Sequence, residues 1–270
     1  MREMSEEKEV VLPVVSFETW NPLLLRDVLK DVNCFFDEAT IEVSYDGIRI
    51  KQMDVAKVAM VDCFLLKEYF DTYYVEREGK FTVVIPDVLK AVFTGVKKDD
   101  TLDMNLSDEK ENIEFTVKNA NGVKRRTVPI LREQAEEVPE PKFYPDVRCK
   151  IMVKPFIKDL KDLEKADVSR VTLIADRDKV LRVKGETDTA SFENIYEIGK
   201  SDIMLSIEVD RESRARYKID YLLEYALPKE LTAICDVVEI AWGSDLPLKV
   251  TALGCPLSLT HYIAPEIEID

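Results

Sequence analysis

A chain of 270 residues with 46% hydrophobic content holds enough material for two ordinary domains with cores of their own. Its formal charge of -15 argues against a simple nucleic-acid binder coated in basic residues, and no run reaches the roughly 18 apolar residues of a membrane span, so no membrane partner is expected. Five scattered cysteines, no C-x-x-C pair and a lone histidine, His261, support neither a disulfide framework nor a zinc site; reduced thiols and no cofactor are expected.

The opening MREMSEEKEVV is charged where a signal peptide is apolar, which predicts an intracellular protein. Residues 1–9 read as an extension. A strand over Val10 to Phe17 leads to Asn21-Pro22, a helix cap followed by proline at the first helical position, and a helix over Leu23 to Val32. Strands follow at Ala39 to Ser44, Ile48 to Lys51 and Val58 to Leu66, the first two joined by a turn at Asp46-Gly47. A second helix runs from Ile85 to Phe93 with Gly95 beyond it. Strands at Thr101 to Leu106, Ile113 to Lys118 and Val123 to Leu131 close the first half.

The second half repeats this order, starting with a strand at Arg148 to Val153 and a helix to Leu163. Strands at Val171 to Ala175, Val180 to Gly185, Ile203 to Val209 and Arg214 to Ile219 precede a helix from Tyr221 to Leu227. Val237 to Trp242, Leu248 to Leu253 and Leu257 to Ile263 finish the set. Pro22 and Pro155 are 133 positions apart; Asp46 and Asp178 are 132 apart. One offset held across helix and turn indicates two copies of one fold. The expected domains are 10–131 and 147–263, joined by a proline-rich connector at 132–146 and followed by a tail at 264–270.

The third helix carries Lys154, Lys158, Lys161 and Lys165 at i, i+4, i+7 and i+11, one helical face. Arg26 and Lys30 on the first helix, and Lys90, Lys97 and Lys98 on or just beyond the second, add outward cations. In an acidic chain this gathering points to phosphate contacts without base reading, which are weak and salt-sensitive. The fourth helix departs, with Asp220 and Glu224 outward.

The ending DLPLKV, then LTHYIAPEIE, closely resembles the C-terminus of the DNA sliding clamps of the proliferating cell nuclear antigen family, archaeal type. Gln52-Met53-Asp54-Val55-Ala56-Lys57-Val58-Ala59-Met60 resembles the family segment S-M-D-x-x-x-V-x-L, and Phe70-Asp71-Thr72-Tyr73 resembles E-x-F-D-x-Y. The resemblance spans the chain after residue 9. It implies an α+β fold of two repeated clamp domains, each with two helices lining the inside of a trimeric ring and antiparallel sheets outside. It implies a non-enzymatic processivity factor that encircles duplex DNA, in the cytoplasm of an archaeal cell with the chromosome or in a eukaryotic nucleus. DNA polymerase, the clamp loader, flap endonuclease and DNA ligase would dock through peptides, beside two further clamp subunits in a homotrimer or heterotrimer.

Carried over residue by residue, the peptide groove comprises Met53, Lys57, Val58, Met60, Val138, Pro139, Phe143, Pro247, Tyr262, Ile263, Ala264 and Pro265. Lys57 stands where eukaryotic members have a histidine, and Glu136 and Glu137 stand where apolar anchors are common. The resemblance also implies a subunit joint between the strand carrying Ile113, Phe115 and Val117 and a neighbour's strand carrying Val180, Leu181 and Val183. No G-x-x-x-x-G-K-[ST] or G-x-G-x-x-G loop occurs, which disfavours a nucleotide-using enzyme. The alternative function is a related clamp subunit, or a peptide-binding adaptor of the DNA damage response, that acts only within a heteromeric ring.

Overall fold

Along Val14–Thr19 (β1) every second residue is buried, the period of a strand with one face on a core. The computed structural model describes residues 12–107, 112–131, 138 and 142–266; the expected extension, Glu136, Glu137, Pro139 and the end of the tail lie outside these. Pro22–Asn33 (α1) follows β1 with proline at its start. Asn21 precedes it without a side-chain cap, and its backbone N–H donates to Thr19 Oγ1 at 3.1 Å.

Glu38–Ser44 (β2), Gly47–Met53 (β3), Ala59–Leu66 (β4), Thr72–Arg77 (β5) and Gly79–Val84 (β6) lead to the helix Ile85–Phe93 (α2). Thr101–Leu106 (β7), Asn112–Asn119 (β8) and Gly122–Pro129 (β9) complete the first half. Gly47 has φ +150°, and a Cβ there would lie 2.1 Å from the Leu65 carbonyl oxygen, so the β2–β3 turn demands glycine.

The second half contains Val147–Met152 (β10), Val153–Lys165 (α3), Arg170–Ala175 (β11), Leu181–Glu186 (β12), Ser191–Tyr196 (β13), Met204–Val209 (β14) and Ser213–Lys218 (β15). Then come Ile219–Tyr221 (α4), Val237–Trp242 (β16), Leu248–Leu253 (β17) and Ser258–Ile263 (β18). The order of the first half is repeated throughout. Three strands go beyond the sequence expectation: β5, β6 and β13. The predicted fourth helix is a single α-turn that widens into a π-helix at Leu222–Ala226, closed by Leu227 N–H donating to the Leu222 carbonyl at 2.7 Å. Pro228, which has no N–H to donate, follows and ends it.

The strands form three antiparallel sheets. One has the order β5-β1-β7-β8-β9 and belongs to the first half; β13-β12-β11-β15 belongs to the second. The third, β14-β10-β16-β17-β18-β4-β3-β2-β6, runs through both halves. Its continuity comes from β18 pairing with β4, where Tyr262 faces Met60 and Ile263 faces Ala59. Helices pack between and across the sheets, α1 against α2 and against the 3-10 turn Lys229–Ala233. Trp242, Tyr217, Leu160 and Leu65 are among the side chains sealed in the core. At the end of β18 the chain turns past Pro265, and Glu266 bridges to Arg216 on the outer edge of β15.

Candidate docking groove and nucleic-acid interface

The registers of β3, β4, β18 and β17 set Met53, Met60, Tyr262 and Lys249 in one row across the joint between the halves. Directly opposed residues share a face of the sheet, so this row lies on the face away from His261 and Ile263. Lys249 Nζ sits 5.7 Å from the Tyr262 ring centroid, and Phe143 of the connector meets that ring edge-on at 6.1 Å. Val138, Phe143, Pro247, Ala264 and Pro265 are all half-buried. Ala264 N–H donates to the Val58 carbonyl at 2.8 Å, tying the tail to the loop after β3.

Asp54 builds that loop. Its Oδ1 accepts from the backbone N–H groups of Val58 and Ala59, each at 2.7 Å, and Lys57 turns the chain at φ +58°. Val55 is left fully exposed at the tip and Lys57 is also exposed. The loop, the connector and the tail thus converge on Tyr262.

One predicted groove residue moves. Ile263 is 1% exposed and faces the core with Leu259 and His261, because successive strand residues alternate; it supports the groove from beneath. Met60 is 3% exposed despite lying in the outer row, so it forms the floor and Tyr262 the accessible part.

The predicted subunit joint is corrected. Strand β8, with Ile113, Phe115 and Val117, is paired on both sides, by β7 and β9. Strand β12, with Leu181 and Val183, is likewise paired by β11 and β13, and Val180 just before it is buried. Neither offers unpaired backbone groups. The sheets end instead at β9 and β13, one strand further out in each case, and β13 is among the three strands beyond the sequence expectation.

The basic residues lie where helical periodicity puts them. Along α3, Phe156, Ile157, Leu160 and Leu163 are buried while Lys154, Lys158 and Lys165 are exposed and Lys161 is half-buried. Lys90, Lys97 and Lys98 are exposed on and after α2. Arg26 and Lys30 of α1 both reach Asp27, at 2.7 and 3.7 Å, which offsets part of their field. The fourth helix shows Asp220 and Glu224 to solvent and sets Tyr221 edge-on to Tyr225, with ring centroids 5.6 Å apart. In place of a lysine row it presents an aromatic pair, with Lys218 5.0 Å over the Tyr221 ring.

A feature absent from the sequence reading lies under the groove. His261 Nε2 is 2.7 Å from Asp31 Oδ2 on α1, and Nδ1 is 3.1 Å from the Ala226 carbonyl in the π-helix. With Asp31 as a carboxylate, both ring nitrogens face acceptors, an arrangement the doubly protonated ring satisfies. Burial alone would lower the histidine pKa, but the Asp31 charge and hydrogen bonds outweigh it and raise it. The pair, 1% and 0% exposed, joins the two halves beneath the Tyr262 row.

The comparisons with known proteins agree with this architecture. Residues 18–131 match the family profile of the proliferating cell nuclear antigen (PCNA) N-terminal domain. Those residues resemble a PCNA N-terminal domain. The DNA polymerase sliding clamp of Thermofilum pendens is 25% identical over 242 residues, covering 89% of this chain and 94% of that protein. DNA polymerase sliding clamp 1 of Sulfolobus acidocaldarius is 29% identical, covering 90% of this chain and 96% of the relative. Among solved structures, the PCNA2–PCNA3 complex of Sulfolobus tokodaii is similar with a TM-score of 0.81 at 24% identity, over 94% of this chain and 100% of that one. PCNA of Entamoeba histolytica gives 0.84 at 17% identity, over 95% and 100%. The PCNA fold therefore extends across both halves, with the described tail and the Tyr262 row at their joint.

Proposed function

We propose that the chain is a subunit of a DNA sliding clamp, a ring that encircles duplex DNA and tethers DNA polymerase to it. The observation that carries this reading is the joint between the halves. The last strand of the second domain, β18, is added to the fourth strand of the first, β4. By the internal repeat, β9 is the counterpart of β18 and β13 that of β4. Both counterparts stand at the ends of their sheets, so a second molecule can supply the partner each lacks. Contact between unlike edges is head-to-tail and closes a ring when the rotation fits. Three two-domain subunits place six like domains around a hole.

The reading assigns no bond chemistry to the chain. Lysines of α2 and α3 would meet phosphates, keeping the grip weak and free of sequence preference, as sliding demands. Partner peptides from polymerase, clamp loader, flap endonuclease and DNA ligase would seat an apolar or aromatic anchor against Tyr262 and the Met53–Met60 floor. The connector would supply backbone hydrogen bonds. The test is a primer-extension assay on DNA the ring can encircle: a cognate replicative polymerase should make longer products per binding event with the protein present. No gain with a demonstrated complete ring defeats the reading.

A further inference from the structure

We infer that Glu266 is a positioning residue for the docking groove: it latches the tail to the four-stranded sheet of the second half and so sets the wall along which a partner peptide lies beside Tyr262. The inference rests on the proposed groove and adds to it a residue from outside the Tyr262 row.

The tail leaves β18 after Ile263 and is fastened on both sides of Pro265. Ala264 N–H donates to the Val58 carbonyl at 2.8 Å, which ties the tail to the first half. Glu266 N–H donates to the Arg216 carbonyl, also at 2.8 Å, which ties it to β15 in the second half. Pro265 between them has no N–H and a fixed φ, so it adds no bond of its own and passes the direction of one attachment to the other. Strand β15 stands at the end of its sheet, and among the described residues the Arg216–Glu266 bridge is the rung by which the tail joins that edge.

One rung is a weak hold, and the side chain supplies a second. The Glu266 carboxylate accepts from Arg170 Nε at 2.7 Å. Arg170 opens β11 opposite Lys218 of β15, two residues along from the pair Thr172 and Arg216, so the backbone bond and the ion pair grip Glu266 from neighbouring strands. An acid suits this place. Arg214, Arg216 and Lys218 alternate along β15 with the buried Ser213, Ala215 and Tyr217, so their side chains share the outer face with Arg170. In a chain of net charge -15 this is a local basic strip, and the described tail ends on it with a glutamate.

The Glu266 side chain is 26% exposed and that of Arg170 55%, and a pair this open to water favours the closed latch by only about two- to fivefold. With the latch open, Ala264 and Pro265 keep a single anchor, and a peptide must order them as it binds. Its affinity then falls with the fraction of molecules that remain closed.

The test uses fluorescent peptides tiled across the cognate replicative polymerase, with the tightest-binding tile titrated against the full chain and folding of each variant checked by its melting curve. Glu266→Gln and Arg170→Gln should each weaken that peptide about two- to fivefold. The double variant E266Q/R170Q should be no weaker than either alone, because both changes remove the same pair. The loss should also shrink as added salt screens the pair in the wild type. Single variants that bind like wild type, or losses that multiply in the double variant, overturn the latch and leave the groove standing. If no tile binds the wild type, or the tightest one binds Tyr262→Ala equally well, the groove itself falls and the latch with it.

Discussion

Strands β9 and β18 hold the same position in the two halves, yet one is bare and the other is buried in a continuous sheet. The covered strand carries Leu259, His261 and Ile263 inward and Thr260 and Tyr262 outward, matched to β4 across the joint. The bare one carries lysine, two arginines and an exposed valine. A strand that closes within the chain can rely on one partner always being present and can bury a charged pair beside it. A strand that closes between chains must remain soluble while alone, and charge keeps its edge from pairing at random.

This contrast can be broken at the covered joint first. His261→Ala leaves Asp31 buried without its cation and is expected to cost about 3–5 kcal/mol, read as a lower urea midpoint; an unchanged midpoint would show that the pair does not hold the halves together. Next come neighbours with opposite duties. Ile263→Ala empties a core site and should cost about 2–5 kcal/mol of stability. Tyr262→Ala should leave stability nearly intact and weaken partner-peptide binding by roughly tenfold or more. Equal effects of the two substitutions on melting would erase the distinction between support and surface.

A smaller effect separates the helices from the joint. Lys158→Ala with Lys161→Ala should flatten the salt dependence of DNA retention by about 0.9 in log–log slope for each phosphate no longer neutralised, with ring mass unchanged. An unaltered slope would remove α3 from the DNA-facing surface. The mildest test is pH. The folded pKa of His261 is raised, so the charged pair contributes fully below the unfolded histidine value near 6.5 and is lost as pH rises through the folded value. Stability should decline on that alkaline side, and His261→Gln should remove the decline.

Much of the architecture was legible because period-two alternation and helix starts carry strong signals. Strands such as β2, β7 and β16 appear within a residue or two of their expected limits. Strand β13 was not legible because Ser-Phe-Glu-Asn-Ile-Tyr places Ile195 on the solvent face, which breaks the alternation that reveals a strand. With β13 unassigned, the expected joint fell on β12, a strand the structure pairs on both sides, as it does β8. In the groove, Tyr262, Ala264 and the Asp54 loop are implied by the resemblance of their segments to the clamp family, while the His261–Asp31 pair joins residues 230 positions apart, beyond any local pattern. The π-helix escaped for a related reason: Leu222 and Leu223 suit an ordinary helix, and the segment packs against β18 and α3, elements distant in sequence.

The pairing of β18 with β4 also fixes when the molecule can finish folding. Strand β4 ends at Leu66, and its partner ends at Ile263, so during synthesis the first domain waits with one sheet edge open until residue 263 has been made. Such a distant pairing forms late and leaves a sticky edge exposed meanwhile. Polar residues along that edge, Asp62 with its Arg49 partner at 2.6 Å among them, disfavour stray pairing while the edge stays open.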